Sequence, residues 1–191
     1  NSFGAVVIAG NSASSSVEGF IYVAMNAFHQ AAVTFTSQNM GAGKCRNVDK
    51  VMKSCIGCVA AVGLVLGSLA VVFAPQLLGI YSSDEAVITA GMQRMAVIGF
   101  SYFTCGIMDV LVGGLRGLGY SFTPMIVSLV GSCALRLVWV ATIFRWVGTI
   151  ESLYLCYPVT WVLTAVAHAV CFIFLRKIAY ARFTTAVAED D

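Results

Sequence analysis

The chain has 191 residues, of which 59% are hydrophobic and only 10% charged, with a formal net charge of +2 and a mean hydropathy of +0.88. Soluble domains carry roughly a quarter charged residues, so 11 Lys and Arg with 9 Asp and Glu cannot supply a polar coat, and an integral membrane protein is the class that remains. The small positive balance, with no basic patch outside the apolar runs, argues against a nucleic-acid partner.

The chain opens on Asn1 with no basic segment before an apolar stretch, so it shows no signal-peptide pattern and is expected to be a piece of something longer. A spanning helix needs about 20 mostly apolar residues. The first is expected over 5–40; it is long and polar, holding Glu18, Asn26, His29 and Gln30 after a run of small residues from Asn11 to Ser16, and so should face the protein interior. The others are expected over 54–81, 86–116, 123–147 and 153–176. Residues 1–183 then form one transmembrane lobe, an all-α polytopic helix bundle in a lipid bilayer, and 184–191 an acidic tail ending in Glu189, Asp190 and Asp191.

Charges between the runs predict the orientation. Lys44, Arg46, Lys50, Lys53, Arg116, Arg176, Lys177 and Arg182 fall on one side if the spans alternate, against Arg94 and Arg145 on the other, with Asp84, Glu85 and Glu151. The excess of Lys and Arg on cytoplasmic loops puts the amino end outside and the carboxyl end in the cytoplasm of a cell inner or plasma membrane. The loops leave no room for a soluble catalytic domain. Six of the seven cysteines fall in apolar runs, and Cys55 with Cys58 lacks a second pair to complete a zinc site. Gly63 with Gly67, and Gly113, Gly114 and Gly117, have the spacing that lets helices approach closely in lipid. Tyr81, Trp146 and Tyr154 lie near span ends, where an aromatic belt sits.

Ionisable groups inside a span cost about 2.5–3.5 kcal/mol on insertion scales and are functional candidates by default. Here they are Glu18, His29, Asp109, Arg136 and His168. At about 1.5 Å per residue, Asp109 lies about 10 Å and His168 about 12 Å from the boundary that Arg116 and Arg176 mark. Asp109 can hold Na⁺ or cycle a proton; alternatively it pairs structurally with Arg136. Glu18, with Asn26 and the serines around it, lines an outward vestibule or sits in interfacial water. His29 and His168 serve as packing groups or relays. Arg116 marks topology by reaching for the surface, and Gln38 to Gly43 is a polar helix exit with a glycine cap rather than a phosphate loop.

Several segments are familiar together. Residues 36–44, with Gln38-Asn39-Met40-Gly41-Ala42-Gly43, resemble the GQNxGAG signature of the multidrug and toxic compound extrusion (MATE) family. Leu115-Arg116-Gly117-Leu118-Gly119 with Pro124 resembles its LRGxG…P signature, and Ala5 to Gly10 the entry to its eighth helix. The resemblance implies the second lobe, helices eight to twelve plus the end of helix seven, of a twelve-helix transporter with two related lobes. It further implies efflux of amphiphilic or cationic small molecules in exchange for Na⁺ or H⁺, no cofactor beyond that coupling ion, no enzymatic activity, and the other lobe of the same chain as partner. In the familiar pattern an acid stands eleven residues before the signature arginine, where this chain has Cys105; Asp109 lies one turn further on. Asp109, Glu18, Asn26, Arg136 and His168 are thus the expected substrate or cation contacts. A lipid-linked saccharide flippase is the alternative, though it would want more intramembrane positive charge than Arg136 supplies. A non-transporting membrane scaffold is another. An intramembrane protease or similar enzyme would need a second catalytic group beside Asp109, the sole aspartate within a span.

Overall fold

The computed structural model describes residues 4–190, with side chains through 182, and the described residues hold helices and no strand. Asn1 to Phe3, and the side chains of the acidic stretch at Glu189 to Asp191, lie outside the described residues. Helix α1 runs Gly4–Gly41, α2 Cys45–Val72, the short α3 Ala74–Gly79 and α4 Glu85–Gly117. Helix α5 spans Phe122–Val147, and α6 runs Ile150–Asp190. Four helices are long and apolar enough to cross a membrane: α2, α4, α5 and Ile150–Arg182 of α6. Helix α1 has the length, but its serines, Glu18, Asn26, His29 and Gln30 keep it outside that group.

Several boundaries differ from the sequence expectation, each for a local reason. Helix α2 begins at Cys45 rather than 54, because the basic residues there do not interrupt the helical period: Val48, Met52, Cys55 and Val59 form one buried stripe while Arg46, Lys50 and Lys53 face outward. The same helix stops at Val72 instead of continuing to 81. Pro75 lacks the N–H needed to continue the ladder and restricts the residue before it, so the chain breaks at Phe73 and restarts as α3. Helix α4 starts where Asp84 accepts from the Ala86 N–H at 2.9 Å. Helix α6 begins at Ile150 and passes through Pro158 without ending.

Glycine caps close the two signature-bearing helices in the same way. After α1, Lys44 N–H reaches Asn39 C=O at 2.8 Å and Gly43 N–H reaches Met40 C=O at 3.1 Å, with Gly43 at φ 71°. After α4, Tyr120 N–H reaches Leu115 C=O at 3.0 Å and Gly119 N–H reaches Arg116 C=O at 2.9 Å, with Gly119 at φ 91°. Both are left-handed caps that satisfy the last carbonyls and let the chain leave sharply.

Helix α4 is the hub. It runs parallel to α1, with Gly10 against Val87 and Gly117 against Thr36, and antiparallel to α2, with Gly67 against Gly99 and Gly114 against Met52. A Cβ on Gly67 would stand 2.3 Å from the Gly99 carbonyl oxygen, so only glycine permits that crossing. Helix α6 packs on the other side of α4 through Trp161 on Tyr102, and α5 packs antiparallel to α6. These pairings collect the ends of α1, α4 and α6 with the starts of α2 and α5 at one end of the bundle, here the Lys44 end. Asp49 and Arg176 form an ion pair there. The opposite, Asp84 end keeps Arg145, in the last turn of α5. Arg94, expected beside it, lies inside α4 with its side chain 11% exposed. Helix α5 turns Leu137, Val138 and Trp146 outward, as a lipid-facing helix of a multi-pass membrane protein does. Tyr154, expected in the aromatic belt, is buried instead, its hydroxyl donating to Asn11 Oδ1 at 2.7 Å.

Candidate functional site

Asp109 opens on a polar pocket of about 280 Å³ between α1, α4 and α5, lined by Tyr22, Asn26, His29, Gln30, Arg116 and Ser128 among others. Three successive turns of α1 supply Tyr22, Asn26 and His29 with Gln30, and two turns of α4 supply Asp109 and Arg116. The helices come this close because Gly113 faces His29: a Cβ at that glycine would stand 2.7 Å from the His29 carbonyl oxygen. His29 Nδ1 lies 2.7 Å from the Asp109 backbone carbonyl. A carbonyl only accepts, so Nδ1 carries the proton, and in the neutral ring Nε2 is left as an acceptor. His29, Tyr22 and Arg116 are the groups that bear on the Asp109 carboxylate.

Helix α5 reaches the pocket through a change in its winding. Leu129–Ala134 and Val140–Phe144 are π-helical. One ordinary turn of 3.6 residues and one wider turn together take up about eight residues, whereas eight residues of regular helix would rotate about 80° out of line. Ser128, Ser132 and Arg136 therefore share the face turned into the bundle. Ser128 Oγ meets His168 Nε2 at 3.1 Å, Ser132 lies beside the Met108 sulfur at 3.9 Å, and Arg136 Nε donates to Thr160 Oγ1 at 3.2 Å. His168 is wholly buried, and its Nδ1 has no hydrogen-bond partner among the described residues.

The structure separates the expected site residues into two groups. Asp109 and Asn26 line the pocket, and His168 touches it through Ser128. Glu18 lies elsewhere, buried against Arg94, whose Nε and Nη2 each donate to one carboxylate oxygen at 2.9 Å; Ser14 Oγ adds a third bond at 3.1 Å. Glu18 thus lies neither in an open vestibule nor in interfacial water. The expected Asp109–Arg136 pair does not form: the ion pairs among the described residues are Glu18–Arg94 and Asp49–Arg176. Asp109 leaves α4 toward α1, whereas Arg136 turns toward α6, its guanidinium carbon 4.4 Å from the Tyr157 ring centre.

Sequence reasoning overlooked Arg94, Tyr22 and Ser128. Arg94 was hidden by its place near the end of a run, Tyr22 by its resemblance to apolar filler. Arg116, expected only to mark the boundary, also faces the pocket. Nearer the Asp84 end, an apolar cleft of about 540 Å³ lies between α1, α2 and α3, lined by Phe20, Leu66, Phe73 and Leu77 among others.

A family model described as MatE matches residues 1–142. Among solved structures, the chain is similar to the Vibrio cholerae MATE transporter VcmN in its bent form, with 20% identity and a TM-score of 0.84 over 93% of this chain and 40% of that one. It is also similar to the MATE transporter ClbM in complex with Rb⁺, with 15% identity and a TM-score of 0.82 over 93% of this chain and 42% of that one. These likenesses carry the fold, and the chain spans about two-fifths of the length of those transporters. No curated protein matches.

Proposed function

The chain belongs to the MatE family, and from that premise we propose that it is the second lobe of a secondary active transporter. The intact protein exports amphiphilic or cationic compounds in exchange for Na⁺ or H⁺. The observation that carries this reading is Asp109: an intramembrane carboxylate with no ion-pair partner among the described residues, opening on a pocket of oxygen and nitrogen groups. Such a carboxylate, beside the Asn26 amide and the Tyr22 and Ser128 hydroxyls, offers the hard oxygen ligands that a small cation prefers. One negative charge cannot neutralise two cations at once. Driving ion and cationic substrate therefore compete for it, and the competition couples their movements.

Rocking of two lobes about that site would expose it alternately to the two sides, one lobe's face being supplied here and the other by the remainder of the protein. Helix α1 is then the fifth span, its polar groups turned inward. The Lys44 end, with eight Lys and Arg against Arg145 at the other, lies in the cytoplasm of the cell membrane. On this reading the protein is a transporter and not an enzyme, and it needs no cofactor beyond the coupling ion. ClbM, similar in fold and solved in complex with Rb⁺, lends weight to a monovalent cation.

The test is reconstitution of the intact protein into liposomes, with export of a fluorescent cation followed under imposed Na⁺ or H⁺ gradients. Gradient-driven export is expected, and Asp109→Asn should abolish it without lowering the melting temperature. Export that survives in the variant would move the coupling site to the other lobe. No export of any organic cation under either gradient would favour the lipid-linked saccharide flippase.

A further inference from the structure

His168 is a costly choice as packing. It lies wholly inside the lobe on α6, where its Nε2 meets Ser128 Oγ at 3.1 Å and its Nδ1 has no hydrogen-bond partner among the described residues. A buried ring nitrogen left unpaired costs free energy that a Leu side chain of similar size would avoid. The one hydrogen bond this imidazole makes among the described residues is to Ser128, a residue on the wall of the Asp109 pocket.

Helical serines and threonines commonly turn the hydroxyl back on their own helix. Ser12 donates to the Ile8 carbonyl, Ser101 to Val97, Thr142 to Val138 and Thr164 to Thr160 in this way. Ser128 does not: its Oγ is held off the α5 backbone by His168. The bond forms with either ring tautomer. Ser128 O–H donates to a bare Nε2, or an Nε2–H donates to Oγ, and in both cases Oγ keeps a lone pair. Packing sets the separation of the two side chains. Gly131, about one turn after Ser128, faces Thr164, about one turn before His168, and a Cβ on that glycine would collide with the Thr164 side chain. Helices α5 and α6 thus approach closely beside the Ser128–His168 bond.

We propose that His168 is a positioning residue for the coupling cation, holding Ser128 Oγ out of its own helix so that the Asp109 pocket gains an oxygen ligand for Na⁺. This rests on the transport reading and deepens it, from a cation of either kind to a metal ion. A proton on Asp109 needs no further oxygen. A bulky organic cation, its charge screened by apolar groups, uses none. A metal ion gives up water oxygens that the site must replace, so the contribution of His168 falls on Na⁺ alone.

The experiment uses the intact purified protein at fixed pH, with radiolabelled Na⁺ and radiolabelled tetraphenylphosphonium as separate probes. The organic cation has a delocalised charge and no group that hydrogen-bonds. The wild type should bind both, and Asp109→Asn should lose both. His168→Leu should weaken Na⁺ binding about 10–100-fold, the scale on which partners of a metal's ligands act, while holding tetraphenylphosphonium as the wild type does. Retained binding of the organic cation also shows that the variant is folded. Ser128→Ala should weaken Na⁺ as much, and the double variant no further, because each removes the same bond. His168→Gln, whose amide can still bond to Ser128, should recover most of the Na⁺ affinity.

Unchanged Na⁺ affinity in His168→Leu, additive losses in the double variant, or a loss shared by tetraphenylphosphonium would make His168 a packing residue and overturn the proposal. So would a His168→Gln variant that binds Na⁺ no better than His168→Leu. A wild type that binds tetraphenylphosphonium through Asp109 but does not bind Na⁺ would also overturn it, leaving the transport reading standing with H⁺ as the driving ion. If the wild type binds neither probe, the transport reading falls, and the positioning role with it.

Discussion

Two carboxylates sit on neighbouring parallel helices and meet opposite surroundings. Glu18 accepts three bonds, two from the Arg94 guanidinium and one from Ser14, and is 8% exposed. Asp109, further toward the Lys44 end, has no ion-pair partner among the described residues and opens on a polar pocket. Both lie in membrane-length helices and both look anomalous in the sequence. A carboxylate whose lone pairs and charge are satisfied by its own fold belongs to the bundle's architecture. One left partly uncompensated can change partners, as a coupling or substrate site must.

Predictions can break that contrast or sharpen it. The largest effect is expected at the closed pair. Glu18→Gln leaves the Arg94 charge buried without its counterion and should cost about 3–5 kcal/mol, read as a fall in melting temperature in detergent; Asp109→Asn should leave the melt near wild type. Comparable losses for the two would erase the distinction between a structural and an available carboxylate.

A smaller loss is expected where α2 crosses α4. Gly67→Ala places a Cβ 2.3 Å from the Gly99 carbonyl, forcing the helices apart at about 1–3 kcal/mol. It should not change the relative affinity for different ligands. Tyr154→Phe removes the bond to Asn11 Oδ1 and should cost about 1 kcal/mol, more if water cannot replace the hydroxyl. The smallest effect belongs to Arg176→Gln. Its ion pair with Asp49 has side chains 30% and 36% exposed, and exposed pairs contribute about 0–1 kcal/mol. A loss at Arg176 as large as that at Glu18 would mean the Lys44 end is held far more rigidly than its exposure implies.

Much of the helical order was legible because apolar runs and glycine punctuation are local signals. Gly43 and Gly119 cap α1 and α4 as their sequence context implies, and Gly63 and Gly67 face α4 as small-residue spacing suggests. Boundaries were less legible where hydropathy and helix formation disagree. The basic turns of α2 are helical although they are not apolar, and Pro75 ends a run whose apolar character continues. The π-helical turns of α5 left no sequence signal that distinguishes them from ordinary helix.

Within the site, the residue types were legible and the partnerships were not. A charge in an apolar run announces its own cost, so Glu18, Asp109, Arg136 and His168 stood out at once. Which of them meet depends on helix rotation, and 100° per residue means that one extra residue in a turn redirects every side chain after it. That rotation sent Arg136 to Thr160 and Tyr157 instead of Asp109 and brought Ser128 to His168.

Composition and hydropathy by themselves determined that this is a membrane helix bundle, because too few charged residues exist to coat anything else. The order of its motifs carried the family resemblance, since each motif is a short local cap or packing element. Only the tertiary structure decided that Arg94 neutralises Glu18 and that Asp109 and Arg136 remain apart. Charge pairing inside a low-dielectric bundle is set by distances of a few ångströms between helices remote in sequence, and no local pattern encodes those distances.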